Sequence, residues 1–164
     1  MEFDTFLRKL LDNPSTQTTL RIEGQEKKIK GMARFTTNNL KGQEYFKLNL
    51  KDGTAMVISP STQEIFVGSS LGHLTQISDD EIGIKEDITY NNHLYHLDNK
   101  DDYQYCLQVY IGNPGKDIEG ECRFSDYISD QDGVFMLSLG WLMDTGNRAD
   151  VAARLVDTAQ VQVI

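Results

Sequence analysis

The chain has 164 residues, of which 39% are hydrophobic and 25% are charged, and its formal net charge at pH 7 is −9. This length and composition fit a single domain over residues 1–164, either undivided or built from two β-subunits at 15–75 and 86–164 that pack together. The apolar runs are too short to cross a bilayer and the acidic balance repels phosphate backbones, so we expect neither an integral membrane segment nor a nucleic-acid partner.

The first predicted element is an amphipathic helix at the N-terminus. Its apolar residues recur at the spacing of one helical face, and they are Phe3, Phe6, Leu7, Leu10 and Leu11. The helix ends before Pro14, because the residue that precedes a proline avoids the helical region. A helix this short must dock on another surface to be stable. Its own domain is the favoured surface, and a partner-docking surface formed by Phe3, Phe6 and Leu10 is the alternative.

After Ser15 the hydrophobic period changes to two, which predicts β-strands. A turn at Gly24-Gln25 would place one set of residues on a common face, namely Leu20, Ile22, Ile29, Gly31, Ala33 and Phe35. The basic cluster 27–30 lies within this predicted strand and is typical of a solvated strand face.

A second hairpin is predicted around Asp52-Gly53, which is a favoured two-residue turn. In that register Leu48 lies opposite Val57, and Leu50 lies opposite Ala55. The residues predicted to share the core side are Phe46, Leu48, Leu50, Ala55 and Val57.

The next segments are a strand over 63–67 and a connector over 68–86, which is rich in Ser, Gly and Asp. The Asn91-Asn92 pair that follows tolerates positive φ angles and predicts a tight turn. The flanking strands then pair as Tyr90 with His93, Ile88 with Tyr95 and Asp87 with His96. We expect an Asp87–His96 contact between the strands, worth under about 1 kcal/mol on an exposed face.

The remaining segments are predicted as long strands joined by turns at 112–115 and at Asp132-Gly133. The sequence of residues 146–156 is compatible with a short C-terminal helix, and residues 159–164 are predicted to form a terminal strand. The fold class is therefore mainly β, with antiparallel sheets arranged as a sandwich or an open barrel and the N-terminal helix over one end. The expected core residues are Phe35, Phe46, Leu48, Leu50, Val57, Ile65, Leu107, Val109, Phe124, Leu137 and Trp141.

Residues 68–72 have the Gly-x-Ser-x-Gly pattern of a hydrolase nucleophile elbow, which makes Ser70 a candidate nucleophile. Triad partners follow in the right order, with Asp79, Asp80 or Asp87 before His93 or His96. A nucleophile elbow joins a strand of a parallel sheet to a helix, whereas the tight turns of this chain predict antiparallel strands. We therefore assign no catalytic residue and keep a hydrolase that uses Ser70 as an alternative.

Cys106 and Cys122 are too few for a disulfide framework, and both lie in strand-like stretches. Buried free thiols are the favoured interpretation, and a nucleophilic role for either one is the alternative. His93 and His96 would point to opposite faces of a strand, so they do not predict a metal site. Residues 125–133 lack the first and last ligands of an EF-hand loop. We expect neither a metal nor a cofactor.

The order of strands over residues 95–141 resembles small β-rich bacterial proteins of unknown function, namely the YjfK-like group and related domains encoded in membrane-stress operons. The resemblance lies in Leu107-Gln108-Val109 and in the Phe-Ser-Asp-Tyr stretch at 124–127. It implies an accessory protein without assigned catalysis, and it carries no functional residue over to this chain.

Three functional hypotheses follow. The first is a non-enzymatic accessory protein that binds an unidentified protein partner, or a second copy of itself through an edge strand or the stripe of Phe3, Phe6 and Leu10. The second is a small serine or cysteine hydrolase that uses Ser70 or a cysteine. The third is a β-barrel that binds a small ligand. We expect a bacterial cytoplasmic location, because the acidic N-terminus does not resemble a secretory signal.

Overall fold

The computed structural model describes residues 2–37, 44–98, 103–111, 120–131, 133–142 and 148–164, and only the backbone of residues 36–37, 103–111, 120–123 and 141–142. Helix α1 covers Phe3–Asp12, and 3₁₀ turns cover Asp79–Glu81 and Thr158–Gln160. The strands are β1 Thr19–Ile22, β2 Gln25–Thr37, β3 Glu44–Leu50, β4 Thr54–Ser59, β5 Glu64–Gly72, β6 Asp87–Tyr90, β7 His93–Leu97, β8 Tyr103–Ile111, β9 Gly120–Ser129, β10 Phe135–Leu142, β11 Asp150–Val156 and β12 Val161–Val163. No helix of these residues is long and apolar enough to cross a bilayer.

Helix α1 buries the apolar stripe that its sequence predicts. Phe3, Phe6 and Leu10 are 6%, 0% and 0% exposed, and they belong to one cluster with Leu48 of β3 and Met56 of β4. The chain's own sheet therefore covers this face of the helix. The alternative of a partner-docking surface at Phe3, Phe6 and Leu10 is corrected accordingly, because these side chains are not exposed to a partner.

The strand pairs of the described residues are all antiparallel, and the protein is mainly β. The main path through the sheet runs β12-β1-β2-β3-β4-β5-β11-β10-β9-β7-β6, so β12 and β6 are its edges. Strand β8 lies off this path and pairs with both β2 and β9. The segments 15–75 and 86–164 contribute to one common sheet, since β1 pairs with β12 and β5 with β11. The path is open, and by itself it does not establish the predicted sandwich or barrel.

The β1–β2 hairpin turns one residue earlier than the sequence predicts. Its two-residue turn is Glu23-Gly24, whose φ angles are 49° and 82°. Ile22 consequently pairs with Gln25. The predicted Gly24-Gln25 turn is wrong, but the pairing moves by two residues, which keeps each side chain on its predicted face.

A β-bulge in β2 changes the face of the residues that follow it. The pairing with β3 shifts between Ile29 and Gly31, which leaves Lys30 as the extra residue. Beyond the bulge Met32 joins the core under α1, and Phe35 packs in a separate cluster on the opposite face. The predicted common face of Ile29 and Phe35 is therefore wrong.

The β3–β4 hairpin turns through three residues, Lys51–Gly53, rather than through the predicted pair. The glycine has a φ of 86° and donates its N–H to the carbonyl of Leu50. Leu48 therefore pairs with Met56 instead of Val57, and the predicted register is wrong by one residue.

This slip of one residue exchanges the two faces of β4. Ala55 and Val57, which were predicted to share the core side of β3, pack instead on the opposite face with Phe66. Met56 and Ile58 take their place in the cluster under α1. Both faces of β4 are buried, so the apolar pattern alone does not distinguish the two registers.

Strand β5 extends through Gly72, so its last residues were wrongly predicted as connector, and the irregular connector covers residues 73–86. The β6–β7 hairpin has the predicted register. Its turn residues Asn91 and Asn92 have φ angles of 53° and 66°. Asp87 pairs with His96, and Oδ1 of Asp87 lies 2.6 Å from Nδ1 of His96. The predicted contact between these two exposed side chains is confirmed.

Of the segment 146–156 that was considered as a short C-terminal helix, Asp150–Val156 forms strand β11 instead, and residues 146–147 lie outside the described residues. This strand lies between β5 and β10, where Val151 pairs with Ser70 and Ser138. Its alanines favour a helix, but ladder hydrogen bonds on both sides and the burial of Val151 and Ala153 stabilise the strand. The terminal strand is confirmed as β12, which pairs with β1.

The predicted core is confirmed wherever its side chains are described. The residues concerned are Phe35, Phe46, Leu48, Leu50, Val57, Ile65, Phe124 and Leu137, all of which are buried. The side chains of Leu107, Val109 and Trp141 lie outside the described residues, as do the predicted turn at 112–115 and Asp132.

Candidate functional site

Ser70 lies inside β5 and not on a turn between a strand and a helix. It pairs with Val151 in an antiparallel ladder, and after Gly72 the chain continues into the irregular connector. Its side chain is exposed, and its hydroxyl forms no hydrogen bond with another described residue. The described part of the chain therefore lacks the nucleophile elbow and a base within hydrogen-bond reach of Ser70.

The two glycines of the Gly-x-Ser-x-Gly pattern have structural roles. A Cβ atom at Gly68 would overlap the carbonyl oxygen of Ala152 and lie 2.5 Å from Cα of Ala153 in β11. Glycine therefore allows β5 and β11 to approach this closely. Gly72 has a φ of 69°, which other residues rarely adopt, at the point where β5 ends. Strand packing thus accounts for the pattern without catalysis.

His73, which directly follows the pattern, contacts Arg148 rather than Ser70. Its Nε2 lies 3.1 Å from Nη1 of Arg148. Because a guanidinium group can only donate hydrogen bonds, Nε2 of His73 is the acceptor. The imidazole is therefore bound to the segment that leads into β11.

Arg148 and Asp150 form a buried ion pair at the start of β11, which we call the clasp. Their side chains are 2% and 0% exposed. Nε of the arginine donates to Oδ1 at 3.1 Å, and Nη2 donates to Oδ2 at 2.6 Å. The carboxylate also accepts hydrogen bonds from the N–H groups of Leu74 at 2.7 Å and Gly140 at 2.8 Å. A buried pair with this many hydrogen bonds is held in one arrangement.

The clasp joins the connector 73–86 to the sheet. Nη1 of Arg148 donates to the carbonyl of Ile77 at 2.7 Å and to Oδ1 of Asp79 at 3.2 Å. The pair was missed in the sequence because its segment was predicted as a helix, where residues two apart do not face each other. In a strand such residues share a face, so opposite charges at that spacing are the signal that could have revealed it.

A pocket of about 360 Å³ lies beside the clasp. The described residues that line it are Lys30, Asn49, Thr54, Ser70, Arg148 and Ala149, together with Gly31, Leu50, Gly53 and Gly72. The volume is at the lower end of the range for small-molecule sites. The pocket is therefore the candidate functional site.

Two β-bulges border the pocket. Lys30 is the extra residue of the bulge in β2, and Leu71 is the extra residue where the β5–β11 pairing shifts. Bulges beside binding sites commonly redirect a side chain. Here the two bulges lie where Lys30 and Ser70, which are distant in the sequence, line the same cavity.

The charge of the pocket differs from that of the whole chain. Lys30 is exposed and forms no ion pair with a described residue. Lys47 is 8% exposed, and its Nζ donates at 3.0 Å to the carbonyl of Ala149, a lining residue. No Asp or Glu of the described residues lines the pocket. The cavity therefore offers positive charge in a chain whose net charge is −9.

Asp52 lies in the β3–β4 loop, close to the lining residue Thr54. Its Oδ2 is 2.5 Å from Nζ of Lys27, and its Oδ1 accepts from the hydroxyl of Thr54 at 2.6 Å. The hydrogen bond from Lys27, followed by that from Thr54, lowers the pKa of Asp52 from 3.8 to about 2. This carboxylate therefore stays ionised and bound to its neighbours.

Among the residues whose side chains the structure describes, the other predicted site candidates do not line the pocket. His93 lies on β7, and its ring centroid is 4.6 Å from that of Phe135. His96 contacts Asp87 across the β6–β7 hairpin, and the described residues contain no group of three His, Cys, Asp or Glu that could hold a metal ion. Cys106 lies on β8 and Cys122 on β9, and their side chains fall outside the described residues.

No protein-family model, curated protein or solved structure matches this chain. The function is therefore inferred from the position, lining and charge of the pocket. This cavity brings together residues from β2, β3, β4, β5 and the segment that leads into β11.

Proposed function

We propose that the chain is a non-enzymatic accessory protein that binds a small molecule in the pocket beside the clasp. The observation that carries this proposal is the convergence of polar side chains from four separate segments on one cavity, namely Lys30, Asn49, Ser70 and Arg148. Small-molecule sites are typically concave and contain a few convergent polar groups. The protein partner, self-association through an edge strand and the bacterial cytoplasmic location stay predictions from the sequence.

The clasp supports this proposal because it holds one wall of the pocket in place. Arg148 lines the pocket, and its guanidinium group is fixed by Asp150 inside the protein. A wall that is already fixed loses little conformational freedom when a ligand binds.

We further infer that eight strands curve into a barrel with the pocket at one mouth. Strand β8 pairs with β2 and with β9, so successive ladders connect β2, β3, β4, β5, β11, β10, β9 and β8. Asn49 and Ser70 lie on the same sheet face as Lys47, Val57 and Phe66, because Val57 pairs with both Lys47 and Phe66. This face would line the interior of such a barrel. The interior of an eight-stranded barrel is either filled by side chains or holds one small ligand.

A thermal-shift screen with a small-molecule library tests the proposal, because a ligand that binds the folded state raises Tm. A stabilising compound should lose its effect in Ser70→Leu, whose larger side chain fills the pocket. Ser69→Leu is the matched control, since Ser69 is adjacent and exposed but does not line the pocket. Failure to find any stabilising compound, or an undiminished shift in Ser70→Leu, would contradict the proposal.

Covalent labelling separates this proposal from the hydrolase hypothesis. We expect no stoichiometric reaction of Ser70 with a fluorophosphonate probe, because no described residue acts as a base toward its hydroxyl. Iodoacetamide applies the same test to Cys106 and Cys122. Stoichiometric labelling of Ser70 that disappears on denaturation, or alkylation of a cysteine that is faster in the folded than in the denatured chain, would overturn the non-enzymatic assignment.

A further inference from the structure

We infer that the ligand of the pocket is a small organic anion, either a carboxylate or a phosphate monoester, whose charge contacts Lys30. This inference rests on the proposed function and adds the chemical class of the ligand. Three observations carry it: the position of Lys30 within its basic cluster, the neutral donors beside it, and the charge of the lining.

Three lysines lie close together in β2, and two of them contact other residues of the protein. Nζ of Lys27 is 2.5 Å from Oδ2 of Asp52, and Nζ of Lys28 donates to the carbonyl of Gln17 at 2.9 Å. Lys30 has no such partner among the described residues, and it lines the pocket from its position in the bulge. An ammonium group without a counterion beside a concave surface favours an anionic ligand.

Neutral donors complete the site around Lys30. Ser70 and Asn49 both line the pocket, and neither side chain forms a hydrogen bond with a described residue. Hydroxyl and amide groups donate readily to carboxylate and phosphate oxygens. Thr54 contributes less, because its hydroxyl already donates to Oδ1 of Asp52 at 2.6 Å.

The remaining charges near the pocket are compatible with an anion of limited size. Asp150 balances the charge of Arg148, so this arginine shapes the wall of the pocket more than it attracts a ligand. Lys47 lies behind Ala149, to whose carbonyl its Nζ donates a hydrogen bond, so the charge that faces the pocket is that of Lys30. The net charge of −9 repels large polyanions, and therefore favours a ligand small enough to enter the cavity.

Isothermal titration calorimetry at constant ionic strength tests the inference with matched probes. Succinate and glycerol 3-phosphate are the anionic probes, and succinamide and glycerol are their neutral counterparts. We expect at least one anionic probe to bind and its neutral counterpart not to bind. The stronger of the two anions distinguishes a carboxylate ligand from a phosphate ligand.

Lys30→Gln should weaken binding of the anionic probe by about tenfold or more, as expected for the loss of one charge-assisted hydrogen bond. Lys51→Gln is the matched control, because it removes the same charge from an exposed side chain that neighbours the lining residue Leu50 without lining the pocket. Its affinity should stay within about twofold of that of the parent chain.

Several results would overturn the anion assignment: no heat with either anionic probe, equal binding of charged and neutral probes, undiminished binding in Lys30→Gln, or an equal loss in Lys51→Gln. The proposed function is judged separately. A neutral library compound that stabilises the parent chain and the Ser69→Leu variant, but not Ser70→Leu, would sustain it while the anion assignment fails.

Discussion

The two faces of strands β3 to β5 differ in what they contact, although their residues alternate along the same backbone. The helix-covered face packs under α1 and consists of Leu48, Met56, Ile58, Ile65 and Val67. The pocket-side face combines apolar and polar residues, namely Lys47, Asn49, Ala55, Val57, Phe66 and Ser70. Adjacent residues of one strand therefore have different roles: those on one face stabilise the fold, and those at the end of the other line the pocket in which we propose that a ligand binds. Substitutions that change stability without changing ligand binding, or the reverse, test whether the two faces are independent.

The largest loss of stability is expected on the pocket side, at the clasp. Asp150→Ala would leave Arg148 buried without its counterion and would remove the acceptor for the N–H groups of Leu74 and Gly140. We expect the free energy of unfolding to fall by about 4 kcal/mol, as measured by urea denaturation. Asp79→Ala is the control, because Asp79 also contacts Arg148 but is 54% exposed, and its loss should stay under about 1 kcal/mol. Similar losses in both variants would show that burial does not determine the strength of the clasp.

A slightly smaller loss is expected on the helix-covered face, and it should not affect binding. Phe6 is 0% exposed, so Phe6→Ala leaves a cavity between α1 and the sheet. The free energy of unfolding should fall by about 3 kcal/mol, whereas the exposed Arg8→Ala should change it by under about 0.5 kcal/mol. In isothermal titration calorimetry, the folded Phe6→Ala protein should bind the anionic probe with the same affinity as the parent chain. A weaker affinity would mean that the two faces are coupled.

The next largest loss of stability is expected where β5 and β11 approach each other closely. In Gly68→Ala the new Cβ meets the backbone of Ala152 and Ala153, which cannot move without disturbing the ladder. We expect a loss of about 2 kcal/mol in chemical denaturation. Gly24→Ala has open space around its Cβ, and only its φ of 82° opposes the substitution, at about 1 kcal/mol. If Gly68→Ala lowers the free energy of unfolding less than Gly24→Ala does, then β5 and β11 can move apart more easily than their close backbone contact implies.

The elements that the sequence predicts correctly are those set by local pattern. The stripe of α1 follows from helical spacing, and the β6–β7 register follows from Asn91-Asn92, which adopts the positive φ angles its turn requires. Asp52-Gly53 is an equally typical turn, yet its prediction failed. The Asp52 side chain accepts hydrogen bonds from the N–H and hydroxyl of Thr54, and the loop takes three residues. Because both faces of β4 are buried, the hydrophobic pattern could not reveal the slip.

The candidate site was harder to predict because long-range contacts assemble it. Lys30 and Ser70 both belong to conspicuous stretches of the sequence, but nothing in those stretches indicates that they line one cavity. The two bulges that border the cavity have no clear sequence signal. Arg148 binds Ile77, which lies 71 residues earlier in the chain, from a segment predicted to be helical. Local propensity therefore predicts the strands but not the site between them.

The smallest effect is expected at acid pH, in the loop that borders the pocket. The pKa of Asp52 falls from 3.8 to about 2 in the folded protein, because Lys27 and then Thr54 donate hydrogen bonds to it. A folded-state pKa below the unfolded value means that the stabilisation is fully present above pH 3.8 and is lost as the pH falls through about 2. Since the side chain is 45% exposed, solvent screening limits this contribution to under about 1 kcal/mol. In urea denaturation, the stability difference between the parent chain and Asp52→Asn should therefore shrink between about pH 5 and about pH 2. Lys27→Gln should show the same trend because it removes the largest cause of the shift, and a difference that stays constant over this range would contradict the assigned cause.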